Sequence, residues 1–328
     1  MDWGFIFSSS ISSTVGIEAV VFCLAAIGIN IQFGYTGLLN FGQGVFLAVA
    51  GYGLATMVTT FGAPFWLGIA IGLVATVVVA LLLGIPTLRL RADYLAIVTI
   101  AASEIVRLLL RSVAFKDTFG GSDGLQAFSD TFYNMNPFRI GEYGFGPFRY
   151  DERRLWVLLV GWGLVALLSL MVYLLMRSPW GRVLKAIRED EDAVRSLGKN
   201  VYAFKMQSLV LGGIAGAMGG YILALGRAAV SPDTYSTNLT FLAYTILILG
   251  GAARVLGPIV GTFIFWFIIQ FSDNSLSEAV NNGHISFLTT SEVAQVRFVL
   301  VGVALMLLMI YRPQGILGDR KEIALDAR

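Results

Sequence analysis

Glu104 and Arg107 stand three residues apart inside the apolar run 94–110, where a helix would make them neighbours on one face, able to form an ion pair. Within lipid such groups are costly. A central Arg or acid disfavours insertion by roughly 2.5–3.5 kcal/mol, while each aliphatic neighbour contributes only about 0.3–0.6 kcal/mol in favour. The helix is therefore expected to be sheltered by others, with the pair serving either a substrate path or gate, or simply fixing the helix in place. Asn40 and Gln43, polar residues within a glycine-rich stretch, are the other two candidates for lining a path. Reaction chemistry is not indicated elsewhere. His284, the one histidine, falls in a polar segment, and Asp117, Asp123 and Asp130 are spread over another. They form no triad, HExxH or comparable acid–base arrangement. A GxxxxGK[ST] phosphate loop is absent, since Gly198-Lys199 is followed by Asn200 and lacks the earlier glycine. The expectation is a non-catalytic chain with no cofactor and no metal site.

Two glycine patterns have structural readings. In GGIAGAMGG, Gly212, Gly216 and Gly220 fall four apart on one helix stripe, a pattern that lets helices approach closely in lipid. The segment 119–125, FGGSDGL, suits a turn whose backbone N–H groups could face an external pocket, or an ordinary glycine-rich loop.

The elements that would position these residues follow from composition. With 56% hydrophobic and 13% charged residues, the 328-residue chain is too apolar for a soluble globule. Membrane lipid is the expected surrounding. Apolar runs at 15–33, 38–60, 65–84, 94–110, 155–176, 206–225, 239–251, 255–271 and 296–311 approach the ~20 residues that a helix needs to cross hydrocarbon. The expected fold is all-α, a polytopic helical membrane protein of about 8–10 transmembrane helices in one permease-like domain spanning 1–328. Residues 34–53 mix many glycines with Tyr35, Thr36, Asn40 and Gln43, so part of this run is expected to be a broken or re-entrant helix lying against protein or water. The run 239–251 is short for a full crossing. Cys23, the one cysteine, excludes an intrachain disulfide and a cysteine metal cluster. The net charge of +2 with scattered basic residues argues against nucleic acid as a partner. No Lys or Arg occurs in 1–14, so the first apolar run is not expected to be a cleaved secretory signal.

Lys and Arg in short connections mark the cytoplasmic side. Arg89 and Arg91 mark one such turn; the connection 177–205 carries Arg177, Arg182, Lys185, Arg188, Arg195, Lys199 and Lys205, and the tail adds Arg312, Arg320, Lys321 and Arg328. The loop 111–154 balances its charges and 272–295 has no Lys or Arg, so both are expected outside. Nine spans would put the N-terminus outside, and one further segment would reverse it. The stretch 180–200 places Val183, Ile187 and Val194 among dense charges, which suits an amphipathic surface helix with a contact role.

Taken in order, several segments resemble the M-type permease of branched-chain amino acid ABC importers, a group that includes related urea and amide importers. They are GYTGLLNFGQGVFLAVAGY, IPTLRLRADYLAIVT, SEIVRLL, FGGSDGL, WGRVLKAIREDEDAVRSLGKNV, SPDTY, LILGG, LGPIVGT and YRPQGILG. The likeness covers nearly the whole chain, with departures at Ala92, Phe119 and 252–254. It implies a permease subunit for branched-chain amino acids or a similar small polar solute in the plasma membrane of a prokaryote. The implied partners are a second homologous permease subunit, two ATP-binding subunits that hydrolyse the ATP, and an external substrate-binding protein. It also implies that Gly181, Arg182, Ala186, Ile187, Arg188, Glu189, Asp190 and Gly198 couple the chain to the ATPases. The alternative is a carrier driven by an ion gradient, which would use Glu104 to bind its coupling ion and would not need the 180–200 segment.

Overall fold

The computed structural model describes residues 3–90 and 92–281, together with 295–296, 299, 302–303, 306–307, 310–312 and 314–318. His284, Arg91, Arg320, Lys321, Arg328 and half of the run 296–311 lie outside the described residues. The described part is helical, with two small two-stranded sheets.

Helix α1 (Trp3–Thr14) leads through a tight bend into α2 (Ile17–Ile29), which continues as a π-helical turn, Asn30–Gly34. Residues 37–42 are not helical, and α3 (Gln43–Thr59) and α4 (Phe65–Thr87) follow. Next come α5 (Ala92–Arg111), two short helices α6 (Lys116–Phe119) and α7 (Asp130–Asn134), and α8 (Glu152–Arg177). The charged connection folds as α9 (Pro179–Glu189) and α10 (Glu191–Ser196). Helices α11 (Val201–Arg227), α12 (Thr237–Gly250) and α13 (Gly257–Asn281) complete the described helices. Among the described residues, five stretches are long and apolar enough to cross a membrane: 17–34, 65–87, 152–177, 201–227 and 257–280.

Helices α2 and α11 form the centre. Eleven of the thirteen residues of α2 are buried, so it is wrapped by protein on all sides rather than presenting a face to lipid. Its neighbour α11 meets it along small residues: a Cβ on Gly212 would lie 2.6 Å from Gly28 O. On α8, Gly161 lies against Val20 in the same way. The outer helices differ. On α4 the buried residues Gly68, Gly72, Thr76, Ala80 and Gly84 recur every fourth position, and Trp66, Val74, Leu82 and Ile85 point outward. That is an apolar helix packed by its small face with its large face free, the arrangement expected where hydrocarbon surrounds the protein.

The halves of the chain mirror each other in the order of their elements, and α2 and α11 run antiparallel. In the first, a long helix (α2) is followed by irregular backbone, a short helix (α3) and a long one (α4); in the second, α11 is followed by irregular backbone, α12 and α13. The start of α2 lies beside the end of α11, where Arg227 pairs with Glu18 at 2.7 Å. Seventeen residues in α3 and fourteen in α12 give helices of about 26 and 21 Å, short of the ~30 Å hydrocarbon layer.

The 112–151 segment forms a cap at the end of the bundle away from α9. In it β1 (Leu125–Gln126) pairs antiparallel with β4 (Ala229–Val230), and β2 (Glu142–Phe145) forms a hairpin with β3 (Phe148–Asp151) in the register Glu142↔Asp151. Gly120, Gly121 and Gly124 of FGGSDGL all have positive φ, and a side chain on Gly124 would overlap the backbone of Val230.

Three elements differ from the sequence reading. Helix α1 extends it: SSSISST is too polar and too short to register as a crossing, but its Ile6 and Ser10 are buried where α1 lies along α13. Phe7 packs at a tilt against Phe271, ring centroids 5.4 Å apart, and Asn274 Nδ2 donates to Ser10 Oγ at 3.2 Å. Helix α13 in turn runs to Asn281, ten residues beyond the expected end at 271, because α1 covers that polar extension. Helix α11 begins at Val201 rather than 206, since Asn200 Oδ1 caps it by accepting from Ala203 N at 3.1 Å.

Candidate functional site

The break at 37–42 leaves backbone groups without helical partners in the middle of an apolar bundle, where each unpaired group would be expensive. Side chains of α5 and α12 supply partners for several of them. Thr99 of α5 accepts from Phe41 N at 3.0 Å, Thr240 of α12 accepts from Gly44 N at 2.9 Å, and Tyr244 of α12 donates to Asn40 O at 2.9 Å. Asn40 closes its own turn: its Oδ1 accepts from Gly42 N at 2.9 Å, and its Nδ2 donates to Gln32 Oε1 at 2.9 Å. Gln43 Nε2 reaches across to Gly212 O of α11 at 3.0 Å. Asn40 and Gln43 are wholly buried, and Gln43 Oε1 has no hydrogen-bond partner among the described residues. In this arrangement their polarity holds irregular backbone.

The π-helical turn Asn30–Gly34 lies directly beneath this break. Asn30 clamps the α12–α13 turn: its Nδ2 donates to Arg254 O at 2.8 Å, and its Oδ1 accepts from Ala253 N at 2.9 Å. Ala253 has φ +58, so this clamp holds a non-glycine residue in the left-handed region. From below, Arg188 of α9 donates through Nη1 to Gly34 O at 2.7 Å, and the Arg188 side chain packs under Gly37. The carbonyls at the end of a helix carry partial negative charge, so a guanidinium there is well matched.

Helix α9 is anchored on one side only. Gly181, Leu184 and Ile187 are buried, Ala186 is half-buried, and Arg182, Arg188, Glu189 and Asp190 are exposed. Gly181 packs against the backbone at the end of α8, where a Cβ would lie 2.5 Å from Met176 Cα. Pro179 at its first position starts the helix without wasting an N–H. Asp190 ends α9 and caps α10, accepting from Asp192 N at 3.0 Å and Ala193 N at 2.9 Å. Gly198 has φ +75, turning the chain toward α11. Of the residues expected to couple the chain to a partner, Arg182, Glu189 and Asp190 face outward, whereas Arg188 is turned inward to the break.

The Glu104–Arg107 pair is elsewhere, toward the capped end of α5. Arg107 Nη2 lies 2.5 Å from Glu104 Oε1, and its Nη1 lies 2.8 Å from Asp233 Oδ1 in the 3-10 turn Pro232–Tyr235; Arg111 also reaches Asp233, at 3.3 Å. Thr237 at the start of α12 donates to Glu104 Oε2 at 3.4 Å. The cluster ties α5 to the second irregular segment. The four path candidates thus separate into two places, Asn40 and Gln43 at the first break and Glu104 and Arg107 at the second. The glycine stripe serves the first: Gly212 faces Gln32, Gly216 faces Gln43, and Gly220 meets the Leu47 backbone.

A family model described as branched-chain amino acid transport system / permease component matches residues 12–311. The chain belongs to this permease family. It is 29% identical to the high-affinity branched-chain amino acid transport system permease protein LivM of Escherichia coli K12, over 96% of this chain and 72% of that protein. A probable branched-chain amino acid transport permease protein LivM of Methanocaldococcus jannaschii is 23% identical over 92% of this chain and 91% of that one. A probable LivH permease protein of the same organism is 23% identical over 80% and 81%. The permease is a multi-pass membrane protein and a transport subunit.

Sequence reasoning about this permease missed Gln32, Thr99, Thr240 and Tyr244, which complete the first break, and Asp233, which completes the ion cluster. Each is a polar residue in or beside an apolar run, which was the available signal; the partner each would find was not encoded locally. The ion cluster has a measurable consequence. Arg107→Leu strands Glu104 in partly desolvated surroundings, and charge-assisted bonds of this kind contribute about 1.5–3 kcal/mol. The single variant should lower the unfolding temperature of the purified permease more than the double variant Glu104→Leu/Arg107→Leu, because the double variant removes the stranded charge. A double variant less stable than the single would show that the pair's attraction is not what holds α5 there.

Proposed function

We propose that this permease is one of two membrane subunits of an ATP-binding cassette importer for branched-chain amino acids or a similar small polar solute. Its partners in this reading are a second homologous permease subunit, two ATP-binding subunits that hydrolyse ATP, and an external substrate-binding protein. The site is the plasma membrane of a prokaryote, with α9 and α10 in the cytoplasm and the 112–151 cap outside. The excess of Lys and Arg in 177–205 supports that orientation.

The observation that carries the reading is the form of the α9–α10 segment. It is anchored by Gly181, Leu184 and Ile187, presents Arg182, Glu189 and Asp190 outward, and sends Arg188 to the broken helix. A docking ATPase could push on such a segment and move the break. The permease relatives support the substrate class, since their names give branched-chain amino acid transport. The path itself is assigned to the α5 side, where Glu104 and Asp233 keep partly exposed carboxylates that a purely hydrocarbon surface would not tolerate. A second permease packed along α5 would cover them.

Affinity purification of the tagged permease from its native membrane tests the partnership, and uptake of labelled leucine against labelled urea in a deletion strain tests the substrate. ATP-binding subunits should co-purify, and leucine uptake should fall in the deletion strain and return with the wild-type chain. Solute flux by the isolated permease in vesicles, with no ATPase present, would overturn the reading in favour of a gradient-driven carrier.

A further inference from the structure

At the α9 end of the bundle a pocket of about 500 Å³ opens between the α4–α5 turn and the start of α11. Four cations line it, Arg89, Arg195, Lys199 and Lys205, against one carboxylate, Glu191. Glu191 is already engaged: it pairs with Lys205, and its Oε1 lies 2.9 Å from Arg195 Nη2. Arg89 is held over the Tyr202 ring at 5.9 Å, and Lys199 borders the pocket on the short connection between α10 and α11. Arg195 also pairs with Asp192 at 2.9 Å, so with both carboxylates counted two positive charges remain in excess along a concave wall, which suits the pocket to an anion.

Its surroundings say which anion. The pocket lies at the foot of the outward apolar face of α4. Leu82 and Ile85, 64% and 54% exposed, carry that face down to the turn where Leu90 (42% exposed) and Arg89 border the pocket. Tyr202 joins the two by donating its hydroxyl to Ile85 O at 3.4 Å. Apolar surface for acyl chains therefore runs continuously into a cationic pocket at the level where the membrane helices end. A soluble anion would use only the cations; a lipid would use both.

We propose that this pocket binds a phosphate group, that of an anionic phospholipid whose acyl chains lie along the outer face of α4. The assignment uses the orientation given above only to say which leaflet supplies the lipid, and binding measured in detergent is independent of that orientation. A bound lipid here would join the α4–α5 turn to the α10–α11 connection, beside the segment that reaches the broken helix.

Native mass spectrometry of the intact transporter complex, delipidated in detergent, tests this with phosphatidylglycerol, phosphatidylcholine and inorganic phosphate as separate probes. Phosphatidylglycerol should bind preferentially. Arg89→Gln and Lys199→Gln should each weaken it by about fivefold and the double variant by more, while Arg139→Gln in the opposite cap leaves it unchanged. Lys199 lies in a surface connection, so its variant should fold normally even if Arg89→Gln lowers expression. Equal retention of phosphatidylglycerol and phosphatidylcholine, or unchanged phosphatidylglycerol binding in Lys199→Gln, would overturn the site. Inorganic phosphate protecting the protein with no lipid preference would overturn the lipid as the source.

Discussion

Gly220→Val is expected to abolish accumulation of folded permease. At this point α11 crosses α3 backbone to backbone: a Cβ on Gly220 would overlap Leu47 O and sit 2.7 Å from Leu47 Cα. A flexible side chain could move away, but the Leu47 backbone is fixed in the middle of α3, whose neighbours on both sides are buried. Added methyl groups in a well-packed core cost about 1–3 kcal/mol where the surroundings can adjust, and more where they cannot. Against a typical total stability of about 5–15 kcal/mol, and with the break at 37–42 depending on the same contact between α11 and α3, the bundle has little reserve. The control is Gly163→Val on α8, where a Cβ would meet nothing within 4 Å. Size-exclusion profiles of fluorescently tagged variants in mild detergent should show Gly163→Val at the wild-type position and Gly220→Val absent or aggregated. A normal monodisperse peak for Gly220→Val would mean that α3 and α11 can separate without loss of the fold.

The contrast between these two glycines shows what the sequence carried and what it did not. Hydropathy located the helices because it depends on composition alone, and the four-residue spacing of Gly212, Gly216 and Gly220 identified a contact stripe without naming its partner. The density of Gly, Asn and Gln after residue 34 marked a broken helix, and the short run at 239–251 marked another short one. What local pattern could not give was which distant side chains make those breaks tolerable. Thr99, Thr240 and Tyr244 read as isolated polar residues in apolar runs, and only the crossing of α5 and α12 over 37–42 turns them into hydrogen-bond partners. Asp233 was visible within SPDTY as part of a resemblance, and its pairing with Arg107 spans 126 residues. Helix α1 was hidden for a related reason: Ser8, Ser9, Ser10, Ser12 and Ser13 depress its hydropathy. Ser10 and Ser13 nonetheless return their hydroxyl protons to Ile6 O and Ser9 O, one turn earlier, and so cost the helix little.

Arg188→Ala is expected to separate ATP hydrolysis from uptake while leaving the complex assembled. The side chain does two things in this structure: it holds α9 through Gly34 O, and its aliphatic part fills the space under Gly37 at the start of the break. A hydrogen bond from a charged donor contributes about 1.5–3 kcal/mol, which corresponds to roughly ten- to a hundredfold in the balance between two arrangements of the break that differ in this contact. Because energy can reach the break only through a contact that differs between those arrangements, losing it should lower uptake by about that factor. The outward residues should behave differently. Glu189→Ala removes an exposed side chain at the end of α9 without touching the break, so it should weaken retention of the ATP-binding subunits instead. The two variants are distinguished by measuring both quantities in reconstituted vesicles. Arg188→Ala should retain the ATPase and its hydrolysis with little uptake, and Glu189→Ala should lose the ATPase and both activities together. If Arg188→Ala instead sheds the ATPase as readily as Glu189→Ala does, then Arg188 acts in docking, and force reaches the broken helix by another contact of α9, with Lys185 over the Tyr35 ring at 5.8 Å the nearest alternative.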